Sequence, residues 1–276
     1  LSGLVGSEMC IRDRPDTRSP IVIIDHVEMR FGSTTALSDV TLDVAPGEVV
    51  ALMGRNGAGK STLLTTLVGL LAPTSGAVRI QGMAPDALSA PELIQRVGFV
   101  PAEPGDLLTA TSVGDECRDS DHDAGVDAGT TRAILALLAP DIRDHEHPRD
   151  LSEGQRLLLA LAIVLASRPK VLLLDEPTRG LDYPTKTKLA GILADLARAG
   201  HAIMLATHDV ELAADLATRV IVLADGDVVA DGTTASVLTA SPMFAPQVAK
   251  VLSPLPWLTV DDVATSLSEL GHAASS

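Results

Sequence analysis

Aromatic residues are almost missing from this sequence: three Phe, one Tyr and one Trp in 276 residues. So little planar surface leaves no material for the stacking platforms that hold single-stranded nucleic acid. Basic charge is also in deficit, with 21 Lys and Arg against 36 Asp and Glu and a net charge of −15. Phosphate backbones and anionic lipid surfaces are bound mainly through basic patches, so this balance argues against nucleic acid and against direct adhesion to headgroups. A protein partner that itself lies in a membrane is not excluded. Two cysteines, Cys10 and Cys117, make no disulfide framework, and a reducing compartment is the expectation. Long apolar runs are lacking as well. The longest, Leu157 to Ala166, is bounded by Arg156 and by Ser167–Arg168, well short of the about 20 residues a membrane span needs.

What remains is the composition of a soluble globular chain, 46% apolar and 21% charged, long enough for a packed core. Residues 1–19 mix Gly, Ser and Arg without periodicity, resemble translated adaptor or linker sequence, and are read as a non-native or disordered leader. From Pro20 onward the pattern is ordered. Ile21–Phe31 and Thr41–Val44 read as strands, and Val49–Met53 as a buried strand leading into a glycine-rich turn and a helix over Lys60–Leu71. Gly76–Gln81 and Arg96–Val100 are further strand candidates. Residues 102–150 are richer in Pro, Gly, Asp and His, with one clear helix near Thr131–Leu138. Beyond them a helix over Ser152–Ala166 is followed by alternating strands (Val171–Leu174, Ala202–Ala206, Val220–Leu223) and helices (Pro184–Ala199, Val210–Leu216), and Asp225-Gly226 turns a hairpin. Strands alternating with helices predict an α/β fold with a mainly parallel sheet covered on both faces.

Gly54-Arg55-Asn56-Gly57-Ala58-Gly59-Lys60-Ser61 fits the P-loop pattern between a predicted strand and a predicted helix. Its glycines let consecutive backbone N–H groups curl around phosphate oxygens, where the helix N-terminus adds its positive dipole end. Lys60 would reach the β- and γ-phosphates and Ser61 would ligate Mg²⁺. Val171-Leu-Leu-Leu-Asp175-Glu176 is an apolar strand ending in two carboxylates. Alone, that pair reads equally well as an acidic helix N-terminus. Downstream of a P-loop it places Asp175 in a Mg²⁺ shell and Glu176 beside an attacking water. The two motifs together indicate a nucleotide triphosphatase. Leu151-Ser152-Glu153-Gly154-Gln155 opens a long helix with Ser152 at the N-cap, a capping box in local terms and a second anion-binding helix end in functional ones.

In this company the Leu151–Gln155 segment resembles the signature of the ATP-binding-cassette (ABC) ATPases. Asp175-Glu-Pro-Thr-Arg-Gly-Leu-Asp182 resembles their Walker B motif and D-loop, and Thr207-His208-Asp209 their switch histidine. Phe31 matches their adenine-stacking aromatic. The resemblance covers about residues 20–235 and implies a P-loop NTPase (RecA-like) core, an antiparallel β lobe and an inserted α-helical subdomain. The domain expected is 20–240, with the helical subdomain at about 103–168 and a C-terminal extension at 241–276. It further implies ATP and Mg²⁺ as cofactors and a head-to-tail pair of cassettes, homo- or heterodimeric. Lys60, Ser61, Thr62, Asp175, Glu176 and His208 would serve this chain's own site, with Glu176 as base and His208 orienting the γ-phosphate. Ser152, Gly154 and Gln155 would complete the partner's site, and Asp182 is a further nucleotide-binding residue.

One position departs from the pattern. After Val97-Gly-Phe-Val100 and Pro101, Ala102 stands where the family usually carries a glutamine that touches Mg²⁺ and water, and the neighbouring Glu103 could substitute if the loop slips by one residue. Slower hydrolysis in this half-site, or a shift of turnover to the partner's, is the expectation. Gly105-Asp-Leu-Leu108, Thr178–Pro184 and Phe244–Lys250 look like the ATPase subunits of energy-coupling-factor importers. Those act through transmembrane coupling and substrate-binding subunits to take up vitamins or transition-metal ions. That resemblance implies a peripheral position on the cytoplasmic face of the membrane. Other ABC importers or exporters, or a soluble non-transport ABC protein, are the alternatives.

Three segments stay outside these motifs. Asp115–Asp127 is rich in carboxylates and reads as a solvated acidic surface or as a docking face for a basic membrane helix. His145-Glu-His147 has no defined third metal ligand nearby. Thr259 caps an amphipathic helix with Val260, Val263, Ala264, Leu267 and Leu270 on one stripe.

Overall fold

A computed structural model describes residues 19–240, 244–252, 255 and 257–273. The leader reading covers residues 1–19, of which 1–18 lie outside the described residues. In chain order the elements are β1 (Val22–Phe31), β2 (Thr34–Val44), β3 (Val49–Met53), α1 (Lys60–Leu67), β4 (Ser75–Ile80), α2 (Ala90–Ile94), β5 (Val97–Val100), α3 (Val113–Ala124) and α4 (Thr130–Leu138). Then come α5 (Glu153–Ala166), β6 (Val171–Asp175), α6 (Tyr183–Arg198), β7 (Ala202–Ala206), α7 (Val210–Leu216), β8 (Arg219–Ala224), β9 (Asp227–Thr233), α8 (Thr234–Ala240), α9 (Gln247–Leu252) and α10 (Val260–Ala273).

The strands form two sheets. One is three-stranded and antiparallel in the order β2-β1-β4; the other is six-stranded in the order β5-β6-β7-β3-β8-β9, parallel except for the β9 edge. Every residue of β3, β6 and β7 is buried, which a parallel strand achieves only when both faces of the sheet are covered. On one face α1 and the antiparallel sheet pack Leu63, Leu64 and Leu67 against Val22, Ile24 and Leu37. On the other, α5 and α6 pack against Leu172, Leu174, Ile203 and Leu205. Gly98 of β5 makes that second contact close: a Cβ there would lie 2.2 Å from Val164 of α5.

Between β5 and β6 the chain builds α3, α4 and α5, joined in one core through Val113, Cys117, Leu135 and Leu157. Helix α3 adds to the one clear helix expected within residues 102–150. Its buried residues are Val113, Glu116, Cys117 and Asp121, a helical stripe half made of carboxylates, so apolar periodicity could not reveal it. Each carboxylate is spent on backbone amides. Glu116 accepts from Ala110 N–H at 2.8 Å, and Asp121 accepts from Gly129 and Thr131 N–H at 2.6 and 2.8 Å, capping α4. The Asp115–Asp127 segment is therefore no uniform acidic face: Asp119 and Asp123 are exposed, whereas Glu116 and Asp121 point inward. Strand β2 is also longer than its sequence pattern suggests, and α1 ends at Leu67 rather than Leu71.

Candidate functional site

Strands β3, β6 and β7 are neighbours in the sheet, so the loops that follow them emerge side by side at its carboxyl edge. Residues 54–59 follow β3 and lead into α1 with Gly59 at the N-cap. Two of these glycines are required by close packing. A Cβ on Gly54 (φ 147°) would lie 2.3 Å from the Leu223 carbonyl oxygen, and one on Gly59 (φ 103°) 2.5 Å from that of Ala36. The loop is braced from outside by the β8–β9 turn: Gly226 N–H donates to Ala58 O at 3.2 Å, and Ser38 N–H donates to Gly226 O at 3.0 Å. The Asp225-Gly226 turn thus supports the P-loop, a role that the dipeptide alone did not reveal. Arg55, Asn56 and Gly57 are exposed at the loop's crest, and Phe31, half exposed, ends β1.

Lys60 is buried, and its Nζ donates to Gly54 O at 2.9 Å and to Arg55 O at 3.4 Å. From β6, Glu176 brings one carboxylate oxygen, Oε1, to 3.8 Å from that Nζ, while Oε2 lies 2.6 Å from His208 Nδ1. Glu176 sits at φ 45°, a left-handed backbone unusual for a non-glycine residue and typical of functional turns. Its N–H donates to Ala206 O at 2.8 Å, extending the sheet one step past Asp175. His208 follows β7 and is largely exposed, so one end of the Glu176 carboxylate faces the phosphate loop and the other an exposed ring.

Asp175 is buried beneath this pair. Burial, with the neighbouring Glu176 charge, pushes its pKa up against the hydrogen bond from Ser61 and the charge of Lys60. One of its oxygens, Oδ1, is buried without a hydrogen-bond partner. A hydroxyl oxygen and an orphaned carboxylate oxygen are hard donors that fit Mg²⁺, which is held by few protein oxygens together with phosphate oxygens and waters.

The turn after Glu176 is tied on two sides. Thr178 hydrogen-bonds to the Asp209 carboxylate, whose Oδ2 lies 2.6 Å from Lys186 Nζ of α6. On the opposite side Arg179 reaches Glu103 at 2.7 Å. Glu103, the neighbour of Ala102, is thus engaged with Arg179 in this structure. Sequence reasoning missed both ties, because each joins loops far apart in the chain.

The remaining expected residues lie elsewhere. Ser152 accepts Gln155 N–H at 3.2 Å and Gln155 Oε1 accepts Ser152 N–H at 3.0 Å, a complete capping box on α5. Gly154 packs on α6, where a Cβ would lie 2.8 Å from Thr185 Cγ2. Asp182 caps α6 by accepting Thr185 N–H at 3.0 Å. The Ser152 end therefore rests on the D-loop and α6, and the Lys60 end on the loops after β3 and β6. Thr62 lends its carbonyl to Thr66 and Thr65 inside α1. His147 Nδ1 accepts Arg149 N–H at 3.1 Å.

A glycine loop before a helix, a buried lysine, and two carboxylates at the end of one strand of the same parallel sheet define a P-loop nucleotide triphosphatase with an inserted helical segment. Residues 37–179 match the ABC transporter family, and the chain belongs to that family as one of its ATPase cassettes. It is 56% identical over 254 residues to an ABC transporter ATP-binding protein of Streptomyces avermitilis, covering 92% of this chain and 45% of that protein. It is 40% identical over 230 residues to the cobalt import ATP-binding protein CbiO of Rhodobacter capsulatus, covering 80% of this chain and 81% of that one. The fold resembles cbiO1 of Clostridium perfringens, part of the ABC transporter complex cbiONQ, with TM-score 0.72 and 27% identity over 86% of this chain and 97% of that chain. It also resembles the dimeric cassette MJ0796 bound to ADP and Pi, with TM-score 0.68 and 30% identity over 77% and 98% of the two chains. The chain spans about half the length of the two Streptomyces relatives that it matches at 56% identity and of a Methanosarcina mazei relative. Among the described residues no helix is long and apolar enough to cross a membrane.

Proposed function

We propose that this chain binds ATP between its own P-loop and the Ser152 helix end of a second cassette, and that hydrolysis there drives uptake through separate membrane subunits. The second cassette is another copy or a different one, arranged head to tail. The observation that carries the hydrolytic half is the Glu176 carboxylate, held between Lys60 at 3.8 Å and His208 at 2.6 Å. Lys60 leaves the Gly54 and Arg55 carbonyls for the β- and γ-phosphates. Glu176 takes the proton of the attacking water as general base, and His208 orients the γ-phosphate. Ser61 and Asp175 hold Mg²⁺, which neutralises phosphate charge when bound. Phe31 stacks on the adenine, and Arg55, Asn56, Gly57, Ala58 and Thr62 line the phosphates. Ser152, Gly154, Gln155 and Asp182 face the partner's nucleotide. Two helix ends with different neighbours in one subunit support this division.

Importer coupling of the energy-coupling-factor type, for a vitamin or a transition-metal ion, is supported by the likeness to CbiO over most of that protein's length. Such coupling places the chain on the cytoplasmic face of the membrane through its partners, with no nucleic acid involved. Purification of the tagged chain from detergent-solubilised membranes tests the reading: integral membrane partners with cargo-stimulated ATPase are expected, and recovery with ribosomes or DNA would overturn it. Reversing the charge of the exposed Asp119 and Asp123 in the same experiment should weaken assembly while sparing nucleotide binding, if these residues meet a basic membrane helix.

A further inference from the structure

Strands β5 and β6 are parallel neighbours, with Val100 opposite Leu174. Their exits diverge at once. The β5 exit runs into the helical insertion, and the β6 exit makes the Glu176 turn. Glu103 lies on the first exit and Arg179 on the second, and their side chains meet at 2.7 Å, 76 residues apart in sequence. Arg179 belongs to the same tight turn as Glu176, since Arg179 N–H donates to Glu176 O at 3.0 Å. The far side of this turn is already anchored by Thr178 to Asp209 and Lys186.

We propose that Glu103 and Arg179 are a positioning pair for hydrolysis: their ion pair ties the helical insertion to the turn that holds Glu176. Neither residue touches the reacting atoms. They act by restraining a carboxylate whose backbone sits at φ 45°, a conformation that surroundings must hold in place. With Ala102 at the preceding position, the β5 exit offers no long polar side chain there, and Glu103 provides the link between the two exits instead. Both partners are more than half exposed. The pair therefore contributes little to global stability and can break without unfolding the chain. This inference rests on the hydrolytic reading of Glu176, and the test separates the two.

Steady-state ATPase rates of the full chain are measured against ATP concentration for Glu103→Gln, Arg179→Gln, the exchanged double variant Glu103→Arg/Arg179→Glu, and Glu176→Gln as reference. Each single variant should lower kcat by about threefold with KM for ATP unchanged, as expected for loss of an exposed ion pair expressed in the transition state. The exchanged pair should restore kcat, and added salt should slow the parent chain toward the single variants. Thermal midpoints should stay together. Single variants at the parental kcat, a change in KM alone, or an exchanged pair as slow as the singles would each overturn the pairing. An unaltered rate in Glu176→Gln would instead overturn the hydrolytic reading itself.

Discussion

Glu176 and His208, 32 residues apart in the chain, approach to 2.6 Å because β6 and β7 are adjacent parallel strands whose ends coincide, Asp175 standing opposite Ala206. The contact lets a largely exposed ring hold one oxygen of a largely buried carboxylate while the other faces Lys60 at 3.8 Å. Replacing Glu176 with Gln preserves the shape and removes the base. The expected result is a fall in kcat on the order of 10²–10⁴ with nucleotide binding retained, measured by single-turnover hydrolysis alongside equilibrium binding of ATP.

Ala102 offers a gain-of-function experiment. Ala102→Gln adds a polar side chain on the β5 exit, where the resembled family carries glutamine. One added contact to the metal–water cluster should speed hydrolysis by about fivefold. An unchanged ATPase rate in the assembled complex would show that this position does not limit turnover.

Asp209 anchors the loop that carries His208. Burial opposes its ionisation, but the hydrogen bonds from Lys186, Leu212 N–H and Thr178 outweigh it and hold the carboxyl below its usual range. Its contribution is thus complete above the unfolded-state value near 4 and is lost as pH falls through the lower folded value. Asp209→Asn should cost about 2 kcal/mol in urea unfolding at pH 7, and the gap to the parent chain should close in acid.

Arg219 joins the sheet to the antiparallel lobe. Its guanidinium pairs with both Asp231 oxygens at 2.5 and 2.6 Å, donates to Asp43 O at 2.8 Å and lies 3.3 Å from Glu48. Burial disfavours its charge, yet the Asp231 and Glu48 carboxylates more than compensate and raise its pKa. Asp231→Ala leaves a largely buried cation short of its main partner and should destabilise the fold by about 3 kcal/mol, seen as a lower urea midpoint without a change in slope.

Cys117 lies in the core of the helical insertion, and burial pushes its thiol up to about 11. In a Cys10→Ser chain it should resist thiol reagents at pH 8 and react stoichiometrically only in denaturant, because the thiolate is the reactive form.

Motif chemistry was legible wherever local sequence dictates local geometry. The P-loop needed no tertiary information: its glycines, Lys60 and Ser61 lie within one turn of chain, and the apolar runs of β3, β6 and β7 announced buried parallel strands. Ser152 was legible as a helix cap for the same reason, whereas the capping of α6 by Asp182 emerged only in the structure. Helix α3 was hidden because its inward face uses Glu116 and Asp121, whose burial is possible only once Ala110, Gly129 and Thr131 present their amides.

By itself the sequence determined the class of chemistry, since phosphate cradling, metal ligation and base catalysis demand particular residue types at short spacings. Only the tertiary structure decided which of those residues meet. The order of parallel strands sets which loops share an edge, and that order is a property of the whole packed sheet. It brings Glu176 between Lys60 and His208, seats Gly226 behind the P-loop, and turns Glu103 toward Arg179.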